Sequence, residues 1–257
     1  MSLPDAEPVL SMLDEACTVA LRFFRRVTPE WKAYTSYVTE ADHVVQEKVV
    51  KWLDATFPAD GLIAEEKNLY KSPARGTRYW VIDPIDGTAG FVRGLPVWGI
   101  GLALVQEGVA LAGFFAAPVT GERYWALKGR GAFRNGERIQ ARAPGLLHGE
   151  SVLLSFSRLH QANLLSPAFP GKVRSLGSTL AHMCYAAGGN CDAALLARVN
   201  VWDIAPGLAI LNESGGVLRY VHGGPVLLHD LMDGRPARTR MICGHPDAVE
   251  GIERLLR

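Results

Sequence analysis

The stretch that decides the fold lies in the first third of the chain and joins a strand to two acidic residues. It reads Tyr79-Trp80-Val81-Ile82-Asp83-Pro84-Ile85-Asp86-Gly87-Thr88. Its opening run of aromatic and β-branched residues predicts a buried strand that ends at Asp83. Pro84 fixes its own φ and favours an extended Asp83, so we expect both carboxylates around a tight turn at the strand end.

Further apolar runs on both sides of this stretch predict neighbouring strands. They lie at residues 62–64, 97–105, 110–117 and 123–127. Turn signals such as Glu107-Gly108 and Thr120-Gly121 separate them, and Asn135-Gly136 is typical of a hairpin turn. Because consecutive strands joined by tight turns run in opposite directions, the first sheet is predicted to be largely antiparallel.

Helical periodicity predicts helices before and after these strands. They are expected at residues 9–27, 40–56, 178–187 and 203–214, with a second sheet containing residues 151–156 and 191–196. Thr39 and Asp42 resemble a capping box at the start of the second helix. Residues 67–77 are polar and predict a loop.

The order of elements predicts an α/β (α+β) chain of two lobes in alternating layers. Residues 141–150 are rich in proline and glycine and mark the expected boundary. The N-terminal lobe would then cover residues 1–145 and the C-terminal lobe residues 146–257.

Composition excludes several classes of protein. The 257 residues are 48% apolar and carry 27 basic against 26 acidic side chains, which favours a globular chain without an electrostatic surface for nucleic acid. The longest apolar runs are shorter than the roughly 20 residues that cross a bilayer, so we expect no membrane partner. The start of the chain does not resemble a secretory signal, and the four cysteines lack zinc spacing, which together favour a cytoplasmic protein with reduced thiols.

Four acidic residues recur at the ends of predicted elements: Glu65, Asp83, Asp86 and Asp203. Strand ends and helix starts are rigid, so carboxylates placed there can converge at a small cost in side-chain entropy. Oxygen ligands alone favour hard cations such as Mg²⁺, with Mn²⁺ as an alternative. Each acid also has an ordinary explanation, since Asp203 alone could be the N-cap of its helix.

The two residues after Asp86 favour an anion beside this metal site. Gly87 allows the backbone to approach a phosphate closely, and Thr88 adds a hydroxyl group. A helix that begins there would direct free N–H groups at the anion. The sequence contains no GxxxxGK[ST] loop, no HExxH and no nucleophile elbow, which argues against a P-loop protein, a zinc protease and a serine hydrolase.

In combination, these motifs resemble the inositol monophosphatase family. The resemblance rests on Glu65-Glu66, on residues 80–88, and on Trp202-Asp203-Ile204-Ala205, which occur in the family's order. It extends to residues 39–42, 91–96, 129–133, 174–178 and 215–216, and so runs through most of the chain. It implies a layered α/β/α/β/α sandwich, a magnesium-dependent and lithium-sensitive phosphomonoesterase, and a homodimer.

The resemblance also implies roles for individual positions. Glu65, Asp83 and the Ile85 carbonyl would hold one Mg²⁺, and Asp83, Asp86 and Asp203 a second, with two or three ions per site. Asp42 and Thr88, with Glu65, would position and deprotonate the attacking water. The backbone of Gly87 and Thr88 would hold the phosphate of a small phosphorylated substrate.

Two departures from the family pattern bear on the substrate. Ala89-Gly90 replaces a polar pair beside the phosphate position, and Leu196 stands where inositol-specific members carry a glutamate that binds an inositol hydroxyl. A leucine cannot accept that hydrogen bond. Arg198 and Asn200 lie nearby in sequence and are candidates for other substrate contacts.

The expected substrate is therefore ranked within the superfamily. Inositol monophosphate or a similar sugar phosphate comes first, and histidinol phosphate second, because residues 94–99 and 118–123 also resemble histidinol-phosphate phosphatases. Fructose 1,6-bisphosphate and the nucleotides 3′-phosphoadenosine 5′-phosphate and NADP follow. The rival from another class is a non-catalytic regulator that binds metal or phosphate.

Overall fold

The computed structural model describes residues 3–33, 36–159 and 163–257. Helices occupy Ala6–Phe23 (α1), Glu40–Thr56 (α2), Thr88–Arg93 (α3), Thr179–Ala187 (α4), Val201–Glu213 (α5) and Pro246–Glu253 (α6). Short 3₁₀ turns lie at Glu66–Asn68 and Leu228–Leu231. None of the described helices combines the length and the apolar character needed to cross a bilayer.

The strands form a small hairpin and two larger sheets. The hairpin pairs Glu30–Ala33 (β1) with Ser36–Val38 (β2). The first sheet contains Gly61–Ala64 (β3), Leu69–Lys71 (β4), Arg78–Asp86 (β5), Gly99–Gln106 (β6), Val109–Ala117 (β7), Glu122–Leu127 (β8), Gly131–Arg134 (β9) and Glu137–Ile139 (β10). The second contains Val152–Ser155 (β11), Lys172–Arg174 (β12), Ala193–Leu196 (β13), Val217–Tyr220 (β14) and Met241–Gly244 (β15).

The first sheet has the strand order β10-β9-β8-β7-β6-β5-β3-β4, and only its β3–β5 pair is parallel. The prediction of a largely antiparallel first sheet is therefore confirmed. The second sheet has the order β12-β11-β13-β15-β14 and mixes both directions.

The secondary-structure elements form five layers, and three apolar cores fill the spaces between them. The first core packs α1 and α2 against one face of the first sheet, with Leu13 and Trp80 among its members. The second fills the space between the two sheets around α4 and α5, and the third packs α6 against the outer face of the second sheet. The layers thus run α/β/α/β/α, as the resemblance implied. The division into lobes at residue 145 stays a prediction.

Two local predictions were wrong. The Asp83-Pro84-Ile85-Asp86 segment is not a tight turn, because β5 continues through it to Asp86. The polar stretch 67–77 contains the edge strand β4, which pairs with β3 through Leu69, Tyr70 and Lys71. Polar side chains are compatible with an edge strand, because such a strand pairs with another strand on one side only.

Candidate active site

The two aspartates of the deciding stretch lie on either side of a β-bulge in the central strand β5. Asp83 pairs with Gly101 and Asp86 with Gly99, so three steps along β5 oppose two along β6. A bulge breaks the side-chain alternation of a strand and redirects its side chains. Both aspartates are buried, with 1% and 5% of their surface exposed.

The third aspartate belongs to the first turn of α5. Asp203 accepts a hydrogen bond from the Asn200 backbone N–H at 2.5 Å in a capping-box arrangement. Asn200 is therefore the N-cap, and the interpretation of Asp203 as an N-cap was wrong by three positions. The reciprocal bond fixes the Asp203 carboxylate beside the helix start.

Two glycines allow α5 to lie close to the first sheet. A Cβ on Gly113 of β7 would stand 2.2 Å from the Pro206 carbonyl oxygen, and one on Gly101 would stand 2.3 Å from a Leu180 methyl group. The first contact is with backbone and would require α5 to move, whereas the second would require the Leu180 side chain of α4 to shift. The missing side chains therefore let the Asp203 end of α5 reach the Asp83 end of β5.

The three aspartates form one cluster. Asp83, Asp86 and Asp203 each offer a carboxylate oxygen, and these oxygens all lie within 4.8 Å of one another. Burial raises the pKa of Asp83 well above its usual value, and the charges of Glu65, Asp86 and Asp203 raise it further. Burial likewise raises the pKa of Asp203, with Glu65 as the next cause. Such a group of carboxylates is costly unless protons or a cation neutralise it.

One buried oxygen supports a cation rather than a closed hydrogen-bond network. Asp83 Oδ1 is inaccessible and has no hydrogen-bond partner among the described residues. A buried carboxylate oxygen without a donor is rare in native structures. Together with the all-oxygen donor set, this oxygen fits a hard divalent cation.

Asp86 differs, because the start of α4 binds it. Its carboxylate accepts hydrogen bonds from the Thr179 N–H at 3.0 Å, from the Leu180 N–H at 2.7 Å and from the Ser178 hydroxyl. Burial raises the pKa of Asp86 to about 6, and these three donors limit the rise. The carboxylate is thus held rigidly at the N-terminus of a helix, where a negative charge is favoured.

Glu65 stands beside the aspartate cluster and is held by a lysine. The Lys32 ammonium of β1 lies 2.9 Å from a carboxylate oxygen of Glu65 and 2.9 Å from one of Glu66. Burial disfavours this ammonium, but the two carboxylates outweigh it and raise the pKa of Lys32. The Gln46 side chain of α2 fixes the Glu66 backbone by bonds of 2.8 and 3.0 Å.

Thr88 and Asp42 lie within hydrogen-bonding distance of each other. The Thr88 hydroxyl lies 3.0 Å from the Ile85 carbonyl oxygen and 3.4 Å from Asp42 Oδ1. Asp42 accepts bonds from the Thr39 N–H at 2.8 Å and from its hydroxyl at 2.7 Å, which completes the predicted capping box. Burial raises the pKa of Asp42 to about 7, although the Thr39 donors oppose this.

Gly87 is the N-cap of α3 and has a φ of 95° that other residues rarely adopt. A Cβ there would lie 3.2 Å from the Val97 carbonyl oxygen and 3.3 Å from that of Gly177. The backbone conformation therefore favours glycine strongly, and the close neighbours leave little room for a side chain. The two residues that replace the family's polar pair differ in exposure, since Ala89 is exposed and Gly90 is buried.

The structure does not add Arg198 or Asn200 to this cluster. Arg198 is exposed with a positive φ of 56°, and Asn200 serves as the N-cap of α5. Leu196 is 3% exposed and belongs to the core between the sheets. An apolar side chain therefore fills the position that corresponds to the substrate-binding glutamate described in the sequence analysis.

Sequence reasoning missed the roles of three residues that shape the site: Lys32, Gln46 and Ser178. It interpreted His182 as a packed or capping group rather than a catalyst. The His182 ring accepts a bond from the Leu176 N–H at 3.0 Å and so fixes the loop before Ser178. Ser178 had a readable signal, because serine before a helical pattern is a typical N-cap. Lys32 had none, because a lysine in a short strand is usually solvated.

The model of the inositol monophosphatase family matches residues 10–249. A histidinol-phosphatase of Mycobacterium tuberculosis is 37% identical over 217 residues, which cover 75% of this chain and 82% of that protein. A fructose-1,6-bisphosphatase/inositol-1-monophosphatase of Thermotoga maritima is 37% identical over 188 residues and covers 72% of each chain.

Solved structures show the same fold. An IMPase of Thermotoga maritima superimposes with a TM-score of 0.83 at 28% identity and covers 97% of this chain and 95% of its own. The suhB protein of Bartonella henselae gives a TM-score of 0.85 at 23% identity, with 96% of both chains covered.

Proposed function

Because this chain belongs to the inositol monophosphatase family, we propose that its aspartate cluster is the catalytic centre of a phosphoric monoester hydrolase. Homologues named histidinol-phosphatase, fructose-1,6-bisphosphatase and inositol-1-monophosphatase support phosphatase chemistry. The observation that carries the proposal is the convergence of Asp83, Asp86 and Asp203, from two distant parts of the chain, within 4.8 Å.

The acidic residues divide into two proposed cation positions. Glu65, Asp83 and the Ile85 carbonyl would hold one Mg²⁺, and Asp83, Asp86 and Asp203 would hold a second, with Mn²⁺ as a substitute. The unpaired Asp83 oxygen supports its role in both positions. Bound divalent cations would supply positive charge that offsets the phosphate dianion and lowers the pKa of a bound water.

Asp42 and Thr88 are proposed to take the proton of the attacking water, with Glu65 beside them. The Thr88 hydroxyl has one proton and two acceptors within reach, the Ile85 carbonyl and Asp42. When Ile85 serves as a ligand, Asp42 remains as the acceptor of that proton. A pKa of about 7 suits Asp42 to this task, because a general base works best near the operating pH.

The backbone of Gly87 and Thr88 is proposed to bind the phosphate. The positive φ of Gly87 and the lack of a side chain bring the start of α3 close to Gly177 and Val97. Hydrogen bonds from N–H groups orient a phosphate without adding a positive side chain.

For the substrate, two observations favour histidinol phosphate over inositol monophosphate, which the sequence ranked first. Leu196 is packed in the core, so an inositol hydroxyl would lose its acceptor there. Two relatives with 37% and 33% identity are named histidinol-phosphatase. Sugar phosphates, fructose 1,6-bisphosphate and the adenosine nucleotides remain the alternatives.

The test is release of inorganic phosphate from a panel of these esters in the presence of Mg²⁺. We expect turnover, highest with histidinol phosphate, that falls by about 10³-fold or more in Asp83→Asn, since a ligand to the reacting centre is lost. The matched control is Asp230→Asn, which makes the same chemical change at an exposed carboxylate. Equal turnover in Asp83→Asn and the parent would refute the catalytic role of the cluster.

The same panel separates the enzyme from a non-catalytic regulator. Calorimetry that detects binding of a phosphate ester without any release of phosphate would favour the regulator. Turnover with a sugar phosphate but not with histidinol phosphate would retain the catalytic centre and overturn only the substrate.

Three further properties are proposed from the family resemblance. We propose inhibition by Li⁺, a homodimer and a cytoplasmic location, the last supported by four buried, unbridged cysteines. Sedimentation would test the dimer, and a Li⁺ series in the phosphate-release assay would test the inhibition. No nucleic-acid partner is proposed, in line with a net charge of +1.

A further inference from the structure

A cavity of about 290 Å³ lies on the far side of the second sheet from the aspartate cluster. Its floor includes Leu195 and Leu256, which belong to the core between this sheet and α6. The aspartates belong instead to the layer between the first sheet and α5. The cavity shares no residue with the proposed catalytic site.

Three arginines surround this cavity: Arg238, Arg240 and Arg257, joined by His222. Arg238 and Arg240 belong to one segment that leads into β15. The Ala237 N–H bonds the Val199 carbonyl at 2.8 Å, and the Val221 N–H bonds the Arg240 carbonyl at 2.9 Å. Arg257 is held by its own N–H, which donates to the Leu164 carbonyl at 2.8 Å. Backbone bonds thus hold the main chain at or next to each of the three arginines, whose exposed side chains line one space.

These guanidinium groups lack acidic partners in the described part of the chain. No ion pair there includes Arg238, Arg240 or Arg257. The neighbouring acid, Glu253, is already bound by Arg219 and by the His222 N–H. By contrast, Arg235 and Arg254, close by in sequence, pair with Asp233 and Glu250. Three guanidinium groups without an acidic partner among the described residues therefore line one cavity.

We propose that this cavity is a second anion site, which binds the phosphoryl group of a small ligand away from the catalytic centre. Planar guanidinium groups bind phosphate oxygens in pairs, and several of them match a charge of two or more. The cavity lies at the lower end of the range for small-molecule sites, so it suits one or two phosphoryl groups rather than a large ligand. The ligand is inorganic phosphate, the product of the proposed reaction, or a phosphorylated metabolite.

Calorimetry on the full-length chain, freed of divalent cations by dialysis, tests this site. Without cations the aspartate cluster repels anions, so the heat reports the arginine cavity. The probes are inorganic phosphate, pyrophosphate and adenosine 5′-monophosphate, which distinguish the free anion from an ester. We expect saturable binding to one site per chain that weakens as salt is added.

Two double variants decide the location. R238Q/R240Q should weaken binding of the best probe at least tenfold, because it removes two of the three guanidinium groups. R235Q/R254Q removes the same charge from paired arginines outside the cavity and should bind within about twofold of the parent. Thermal unfolding of all three proteins checks that each is folded.

Three results would overturn the proposal. The first is the absence of saturable heat in the parent with every probe up to about 10 mM, a concentration at which a Kd of 1 mM would be evident. The second is unchanged binding in R238Q/R240Q. The third is an equal loss of binding affinity in both double variants. Phosphatase turnover does not enter this measurement, so its outcome is independent of the proposed function.

Discussion

Asp83 and Asp86 lie three residues apart on the same bulge, yet the protein treats their carboxylates differently. Three donors at the start of α4 bind Asp86, whereas one oxygen of Asp83 is buried without a partner among the described residues. The Asp86 side is a completed hydrogen-bond network. The Asp83 side is a group of buried carboxylates that needs protons or a cation to neutralise it. A cation site of this kind needs both parts, because one fixes the geometry and the other supplies the affinity.

The sharpest way to break this comparison is to replace each aspartate by asparagine in cation-free protein. Asp83→Asn replaces a buried acid whose ionisation the folded cluster opposes, so we expect its free energy of unfolding to rise by about 1–3 kcal/mol. Asp86→Asn leaves donors of α4 poorly paired, so we expect a loss of about 1–3 kcal/mol. Urea unfolding measures both. Shifts of the same sign in the two variants would contradict the distinction.

Ser178 provides a test of the Asp86 side alone. Loss of a hydrogen bond to a metal ligand typically lowers cation affinity 10- to 100-fold, so we expect Ser178→Ala to raise the Mg²⁺ concentration needed for half-maximal turnover by that factor. Turnover at saturating Mg²⁺ should fall much less. Ser178→Thr keeps the hydroxyl and is the matched control, and an unchanged Mg²⁺ requirement in Ser178→Ala would contradict a positioning role.

The pH dependence of stability tests the Asp83 side. The pKa values of these acids are raised in the folded protein, to about 6 for Asp86 and about 7 for Asp42. Between about pH 4 and pH 7 the folded cluster therefore keeps protons that the unfolded chain has released. The cluster therefore stabilises the cation-free fold most at the acidic end, and this stabilisation is lost as the pH rises to 7.

Thermal unfolding at several pH values measures this effect. His182 contributes the opposite slope, because burial lowers its pKa to about 4. The cluster's share is therefore taken as the difference between the parent and Asp83→Asn. A difference that does not vary between pH 4 and pH 7 would show that neither burial nor the neighbouring carboxylates raise the pKa of Asp83.

Lys32 should give the smallest effect. Its ammonium is paired with the Glu65 carboxylate, so it must compete with any cation that binds there. Lys32→Met is therefore expected to tighten Mg²⁺ binding about three- to fivefold. This factor corresponds to a partly exposed ion pair worth no more than ~1 kcal/mol. Lys48→Met removes a lysine paired with the exposed Glu15 and is the control. Weaker Mg²⁺ binding in Lys32→Met would instead make the lysine a supporting group.

Much of this architecture could be predicted from the chain alone. The apolar period of residues 79–82, the hairpin signal of Asn135-Gly136 and the capping pair of Thr39 and Asp42 are local, so neighbouring residues determine them. The helix α2 was predicted with its observed bounds. The bulge was missed, because it depends on the register between β5 and β6.

What the sequence determined by itself was the identity of the acidic groups and, for Asp83 and Asp203, the strand and the helix that carry them. Only the tertiary structure decided which oxygens meet, since that depends on how closely α5 approaches Gly101 and Gly113 and on which donors the start of α4 offers. The physical reason is one of range. Strand and helix preferences act over a few neighbouring residues, whereas the hydrogen bonding of these carboxylates arises between distant segments, 92 residues apart for Asp86 and Ser178.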